Sequence, residues 1–128
     1  MTSILWFKRD LRVDDHPALD RVISFDEPIL CLYIVEPDLW RQPDASFRQY
    51  RFLEESLRDL RLSLQKRGAD LVVRTGDAVA VLDDLVEQHR CLRLVSHEET
   101  GNAWTYARDK RVAAWARGRG LPWIEVPQ

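Results

Sequence analysis

The chain has 128 residues, of which 45 % are apolar and 31 % charged, with a net charge of −2. That is enough for one ordinary globular domain with a real core, and nothing global in its charge recruits nucleic acid. No apolar run is long enough to span a bilayer and no signal peptide precedes the first strand, so the cytoplasm is the expected compartment and no membrane partner is expected.

The first strand is predicted over Ser3–Phe7, an apolar run that stops abruptly at Lys8-Arg9-Asp10-Leu11-Arg12. Pro17 then suits the start of a helix carrying Ala18, Leu19, Val22 and Ile23. A second strand covers Pro28–Val35. The stretch Glu36–Ala45, with two prolines, Trp40 and Arg41, reads as irregular, and a loop of that length at a strand's carboxyl end often belongs to a site. A long helix is predicted from Ser46 to about Arg67. Ser46 and Gln49 have capping-box spacing, and Tyr50, Leu53, Leu57, Leu60 and Leu64 form one stripe. Gly68 ends it where a left-handed residue is needed.

A third strand covers Asp70–Thr75. Asp77 can cap the next helix, whose inner face is Val81, Leu82, Leu85 and Val86. The fourth strand is Leu92–Ser96, followed by a helix from Asn102 to about Arg119 that Gly120 closes. Pro122–Val126 alternates and carries a proline, so it reads as an edge strand. Four of the five runs are continuous, as in strands covered on both faces. The expected fold is therefore a Rossmann-like α/β domain: a doubly wound five-stranded parallel sheet, order 3-2-1-4-5, with helices on both faces.

That order reverses between strands one and four, where a crevice opens at their carboxyl ends. The two most polar loops emerge there: Lys8-Arg9-Asp10 from strand one, and Ser96-His97-Glu98-Glu99-Thr100-Gly101-Asn102 from strand four. Lys8, Arg9 and Arg12 suit phosphate or carboxylate groups. Carboxylates and a hydroxyl in the second loop suit the imide-type edge of a heterocycle. Thr100 or Asn102 also suits a helix cap, with the glutamates favouring the helix dipole. His97 and the acids beside it lack the i, i+4 spacing of a zinc site, so no metal is expected. No glycine-rich phosphate loop, nucleophile elbow or Cys/His dyad is present. Cys31 and Cys91 read as free thiols. Arg108, Lys110, Arg111, Arg117 and Arg119 read as a solvated basic face.

Trp6-Phe7-Lys8-Arg9-Asp10-Leu11-Arg12, with Asp14-Asp15-His16-Pro17-Ala18-Leu19 behind it, resembles the opening of the DNA photolyase/cryptochrome family. So do Ser46–Leu57 and Glu98–Asp109, the latter being closer to bacterial members. The resemblance runs essentially the whole length. It implies an amino-terminal antenna domain that holds a light-harvesting pigment: FMN, a ribityllumazine, a deazaflavin or methenyltetrahydrofolate. It places Phe7, Lys8, Arg9, Asp10, Glu36, Arg51, Glu98, Glu99, Thr100 and Asn102 at the pigment. Tyr106 falls where one folate pattern has an acid, which makes a flavin or lumazine at least as good a candidate as folate in that site.

The family's FAD lies in a separate helical domain, where reduced FAD donates an electron to a flipped-out pyrimidine dimer. The expectation is that a chain ending at Gln128 lacks that domain and does not itself repair DNA, its partners being the pigment and the helical domain, with DNA reached only through the parent. The alternatives are a stand-alone nucleotide-binding module of universal-stress-protein type, or a structural or dimerisation domain presenting Trp40, Trp104 and Trp123.

Overall fold

A computed structural model of the chain describes residues 1–43 and 47–128, the side chain of Phe47 excepted. Five strands form one sheet: β1 (Thr2–Phe7), β2 (Ile29–Val35), β3 (Leu71–Thr75), β4 (Cys91–His97) and β5 (Trp123–Val126). The order is β3-β2-β1-β4-β5 and every pairing is parallel. The expected topology is therefore the observed one. Its order places β1 at the centre and β5 at an edge.

The helices are α1 (Pro17–Ile23), α2 (Pro37–Trp40), α3 (Phe47–Lys66), α4 (Ala78–His89) and α5 (Ala103–Arg119). The period-two alternation of β1 sorts the core. Leu5 and Phe7 face α1 and α3, joining Ala18, Leu19, Val22, Leu60 and Leu64. Ile4 and Trp6 face α4 and α5, joining Leu82, Leu85 and Val112. The sheet is thus buried on both faces, which is why its inner strands read as continuous apolar runs.

Local chemistry sets the helix ends. Pro17 opens α1, and the His16 ring caps it by accepting from Leu19 N–H. Asp77 caps α4 through Ala80 N–H. Asn102, not Thr100, caps α5, in a reciprocal box with Thr105. Gly68 stops α3 at φ +81°, a left-handed geometry costly for other residues. The Ser46 cap expected for α3 lies outside the described residues. One element was not expected: α2 sits within the stretch read as irregular, started by Pro37 at its first turn.

Cys31 and Cys91 are free thiols, and burial pushes Cys31 up to about 11. Among the described residues no helix is long and apolar enough to cross a membrane. Leu82 is fully buried between sheet and α4. Leu82→Ala should lower stability by about 2–5 kcal/mol, read as an earlier urea midpoint by circular dichroism with no change in the folded-state spectrum.

Candidate functional site

The β1–α1 loop turns on one carboxylate. Asp10 Oδ1 accepts from the backbone N–H of Lys8 and Arg9, at 2.9 and 3.1 Å. His97 Nδ1 lies 2.7 Å from Oδ2, and His16 Nε2 lies 2.5 Å from the same oxygen, less well aligned. The opposite ring nitrogens are both acceptors: Ala18 N–H donates to His97 Nε2 and Leu19 N–H to His16 Nδ1. Each imidazole therefore carries its one proton on the nitrogen facing Asp10. Burial opposes the Asp10 charge, but the hydrogen bonds from His16 and Lys8 outweigh it and hold the carboxyl far below its usual range. Burial also holds the His97 ring below the ordinary histidine range, against the pull of Asp10.

Asp10, His16 and His97 do bring three potential metal-ligand atoms together. The geometry argues against a metal. Spacings of 2.5 and 2.7 Å are hydrogen-bond distances, shorter than ligands spread around a zinc ion adopt. Both imidazoles also have their far nitrogens occupied as acceptors, whereas a metal-bound histidine donates from that nitrogen.

Beside this cluster lies a second, fully ionic one. Lys8 Nζ is 2.6 Å from Asp109 and 3.8 Å from Glu99. The Arg108 fork reaches three carboxylates: Glu36 at 2.6 Å, Glu99 at 2.8 Å and Asp109 at 2.8 Å. Lys8 and Arg108 both lie against the Trp6 ring, at 4.6 and 4.9 Å from its centre. Burial opposes the charge of Glu99, but Arg108 and Lys8 hold its carboxyl below the usual range. The crevice between β1 and β4 is therefore a meeting place of charges, as its loops foretold, but it is filled.

The open groove lies next to it, on the α3 side. About 610 Å³ is enclosed by Lys8, Arg9, Leu11 and Arg12 after β1, Tyr33 on β2, Leu39 and Trp40 on α2, part of α3, and Asn102. Its walls are largely apolar and aromatic, and Phe52 on α3 is 71 % exposed at its edge. Trp40 packs edge-on against Tyr50, at 5.4 Å, and its Nε1 is buried without a hydrogen-bond partner among the described residues. Arg12 donates to the backbone of Asp15, whereas the exposed Arg9 guanidinium has no ion-pair partner among the described residues.

The ten expected site residues divide accordingly. Lys8, Arg9 and Asn102 line the groove. Phe7 is fully buried, with its ring 5.1 Å from that of His16. Asp10, Glu36 and Glu99 belong to the buried polar clusters. Glu98 and Thr100 are exposed on the far side of the β4 loop, and Arg51 is exposed on α3, none of them at the groove. Sequence reasoning missed His16 and Asp109 in the buried clusters and Tyr33 and Phe52 at the groove, whereas Trp40 lies in the stretch read as belonging to a site. It also placed Arg108 on a solvated face, where the structure buries it to 3 % exposure. Buried Thr105, Arg108, Asp109, Val112 and Ala116 share one face of α5, and three of them are polar, so no apolar stripe marks the inner side. Arg111 and Arg119 pair with Asp77, Asp83 and Glu87.

A parallel sheet of this order, with charged loops gathered at its reversal point and a groove at its carboxyl edge, defines a doubly wound α/β domain. The profile of the family described as DNA photolyase matches residues 3–128. A cryptochrome DASH (chloroplastic/mitochondrial) from Arabidopsis thaliana is 36 % identical over 104 residues, covering 77 % of this chain and 18 % of the relative. The structure of a class III photolyase from Agrobacterium tumefaciens superposes with a TM-score of 0.87 at 29 % identity, covering 98 % of this chain and 25 % of that one. A Sulfolobus tokodaii photolyase shares the fold, with a TM-score of 0.89 at 24 % identity over 99 % of this chain and 29 % of that one. The chain belongs to the DNA photolyase family and corresponds to its amino-terminal α/β domain. It spans between a sixth and a third of the length of these relatives.

Asp10→Asn puts an N–H2 or a weaker acceptor against donors already facing that carboxylate. It should cost about 3 kcal/mol or more, measured by urea unfolding. Wild-type stability should fall on acidification. The lowered His97 pKa withdraws stability as pH drops through the ordinary histidine range, and the lowered Asp10 pKa withdraws more through the carboxylate range and below. A stability that stayed flat between neutral and mildly acidic pH would contradict the histidine assignment.

Proposed function

We propose that this domain is the light-harvesting part of a photolyase- or cryptochrome-type flavoprotein and that the groove beside α2 and α3 holds its antenna pigment. The observation that carries the reading is the groove's composition: apolar and aromatic walls with two guanidiniums that make no ion pair among the described residues, Arg12 held by the Asp15 carbonyl and Arg9 at the rim. Its volume of about 610 Å³ is in the range of small-molecule sites. Trp40 offers a buried N–H that no group among the described residues accepts. A planar heterocycle with an anionic tail satisfies all three features. Among FMN, a ribityllumazine, a deazaflavin and methenyltetrahydrofolate, FMN alone pairs a planar flavin ring with a phosphate for Arg9.

The Sulfolobus tokodaii photolyase is described with two FAD molecules and an implied novel light-harvesting cofactor, which supports a pigment in this fold. In the parent protein the pigment would absorb light and pass excitation to FAD in a helical partner domain, where light-driven DNA repair or blue-light signalling takes place. The cytoplasm remains the proposed compartment. No phosphate loop favours the universal-stress-protein alternative, and Trp40, Trp104 and Trp123 are all half-buried rather than displayed as one surface.

Fluorescence titration with FMN, the other pigments and ATP tests this. Saturable binding of FMN is expected, weakened roughly tenfold, or about 1.4 kcal/mol, by Arg9→Ala with the melting temperature unchanged. Preference for ATP, or no saturable binding of any pigment, would overturn the assignment.

A further inference from the structure

The buried charges at the head of the sheet do not balance. Glu36, Glu99 and Asp109 are three carboxylates served by two cations, Lys8 and Arg108, with all five side chains no more than 9 % exposed. Arg9, the nearest further cation on the β1 loop, is exposed and makes no ion pair with them. An uncompensated charge in such an interior is removed by keeping a proton.

The hydrogen bonds say which carboxylate keeps it. Glu99 accepts from Thr100 and Gly101 N–H through Oε1 and meets Arg108 through Oε2. Asp109 uses both oxygens, one for Arg108 Nε and one for Lys8. Glu36 meets Arg108 through Oε2 alone, and its Oε1 is buried with no partner among the described residues. Ionisation is least supported at Glu36.

That side chain also lines a cavity of about 30 Å³, together with Lys8, Arg9, Tyr33 and Leu39, four residues that line the groove as well. The cavity therefore adjoins the groove across shared side chains, and it is large enough for one water or one carbonyl oxygen.

We propose that Glu36 is a neutral carboxylic acid at neutral pH and that its Oε1 hydroxyl donates a hydrogen bond into this cavity, to a ring carbonyl of a heterocycle in the groove, directly or through one water. Glu36 is thereby a specificity-determining residue, favouring rings that present a carbonyl edge. The groups around it agree. Burial pushes its carboxyl up, Arg108 on α5 opposes this incompletely, and Asp109 on α5 and Glu99 before it add to the push. Tyr33 on β2 is held in its neutral hydroxyl form by burial. The role toward the heterocycle rests on the pigment reading; the proton on Glu36 does not.

Infrared spectra of the full chain at neutral pH, in water and in deuterium oxide, test the proton without any pigment. A protonated-carboxyl band that shifts in deuterium oxide and is missing from Glu36→Gln is expected. No such band, or one that survives in Glu36→Gln, overturns the proposal. With FMN as probe, Glu36→Gln keeps a donor and should bind within about twofold of wild type. Glu36→Leu should bind roughly tenfold more weakly, the loss of about one hydrogen bond. Equal binding by wild type and both variants would overturn the specificity role.

Discussion

The Asp10 carboxylate is the constraint on which the head of this domain depends. It ties the turn after β1 to the start of α1 through His16 and to the end of β4 through His97. Its own carbonyl also accepts from Arg12 N–H, closing the loop on itself. Every donor aimed at it is buried or nearly so, and would be left unsatisfied without it, at the desolvation cost of each group. Because the loop is held from inside, Arg9 and Leu11 both line the groove, with the Arg9 guanidinium against Gly101.

The space at the carboxyl end of the sheet is divided in two. Toward β4 and α5 it is filled with charge; toward α2 and α3 it is open and apolar. Arg108 draws the boundary, since its fork binds the end of β2 at Glu36, the β4–α5 loop at Glu99 and its own helix at Asp109. A buried ion network of this kind adds little net stability over well-packed apolar side chains of the same volume. What it supplies here is location, because the end of β2, 72 residues away, is held to the β4–α5 loop and α5 by one rigid planar group. Gly101 shows how tight the joint is: a Cβ there would run into Arg9, Thr105 and Glu99 together.

The two halves also differ in what they offer a ligand. The filled side presents groups already paired, with one exception in Glu36. The open side presents ring faces, the guanidiniums of Arg9 and Arg12 with no ion pair, and an indole N–H with no acceptor, among the described residues. A planar aromatic guest lying over the neutral side of a charged floor gains dispersion contacts without displacing an ion pair.

The sequence by itself determined the layered architecture. Continuous apolar runs, the Tyr50–Leu64 stripe, Pro17, Asp77 and Gly68 are local signals, and each acts within a few residues of where it stands. It also identified the two loops that meet, Lys8–Asp10 and Ser96–Asn102, once the doubly wound order 3-2-1-4-5 is assumed for the alternating elements. Only the tertiary structure decided what those loops do. Lys8 finds Asp109 across 101 residues, Asp10 finds His97 across 87 and Arg108 finds Glu36 across 72. Whether a charge is solvated or buried depends on such partners, and no periodicity encodes them. That is why Arg108 reads as a surface residue in the sequence and stands at the centre of the fold.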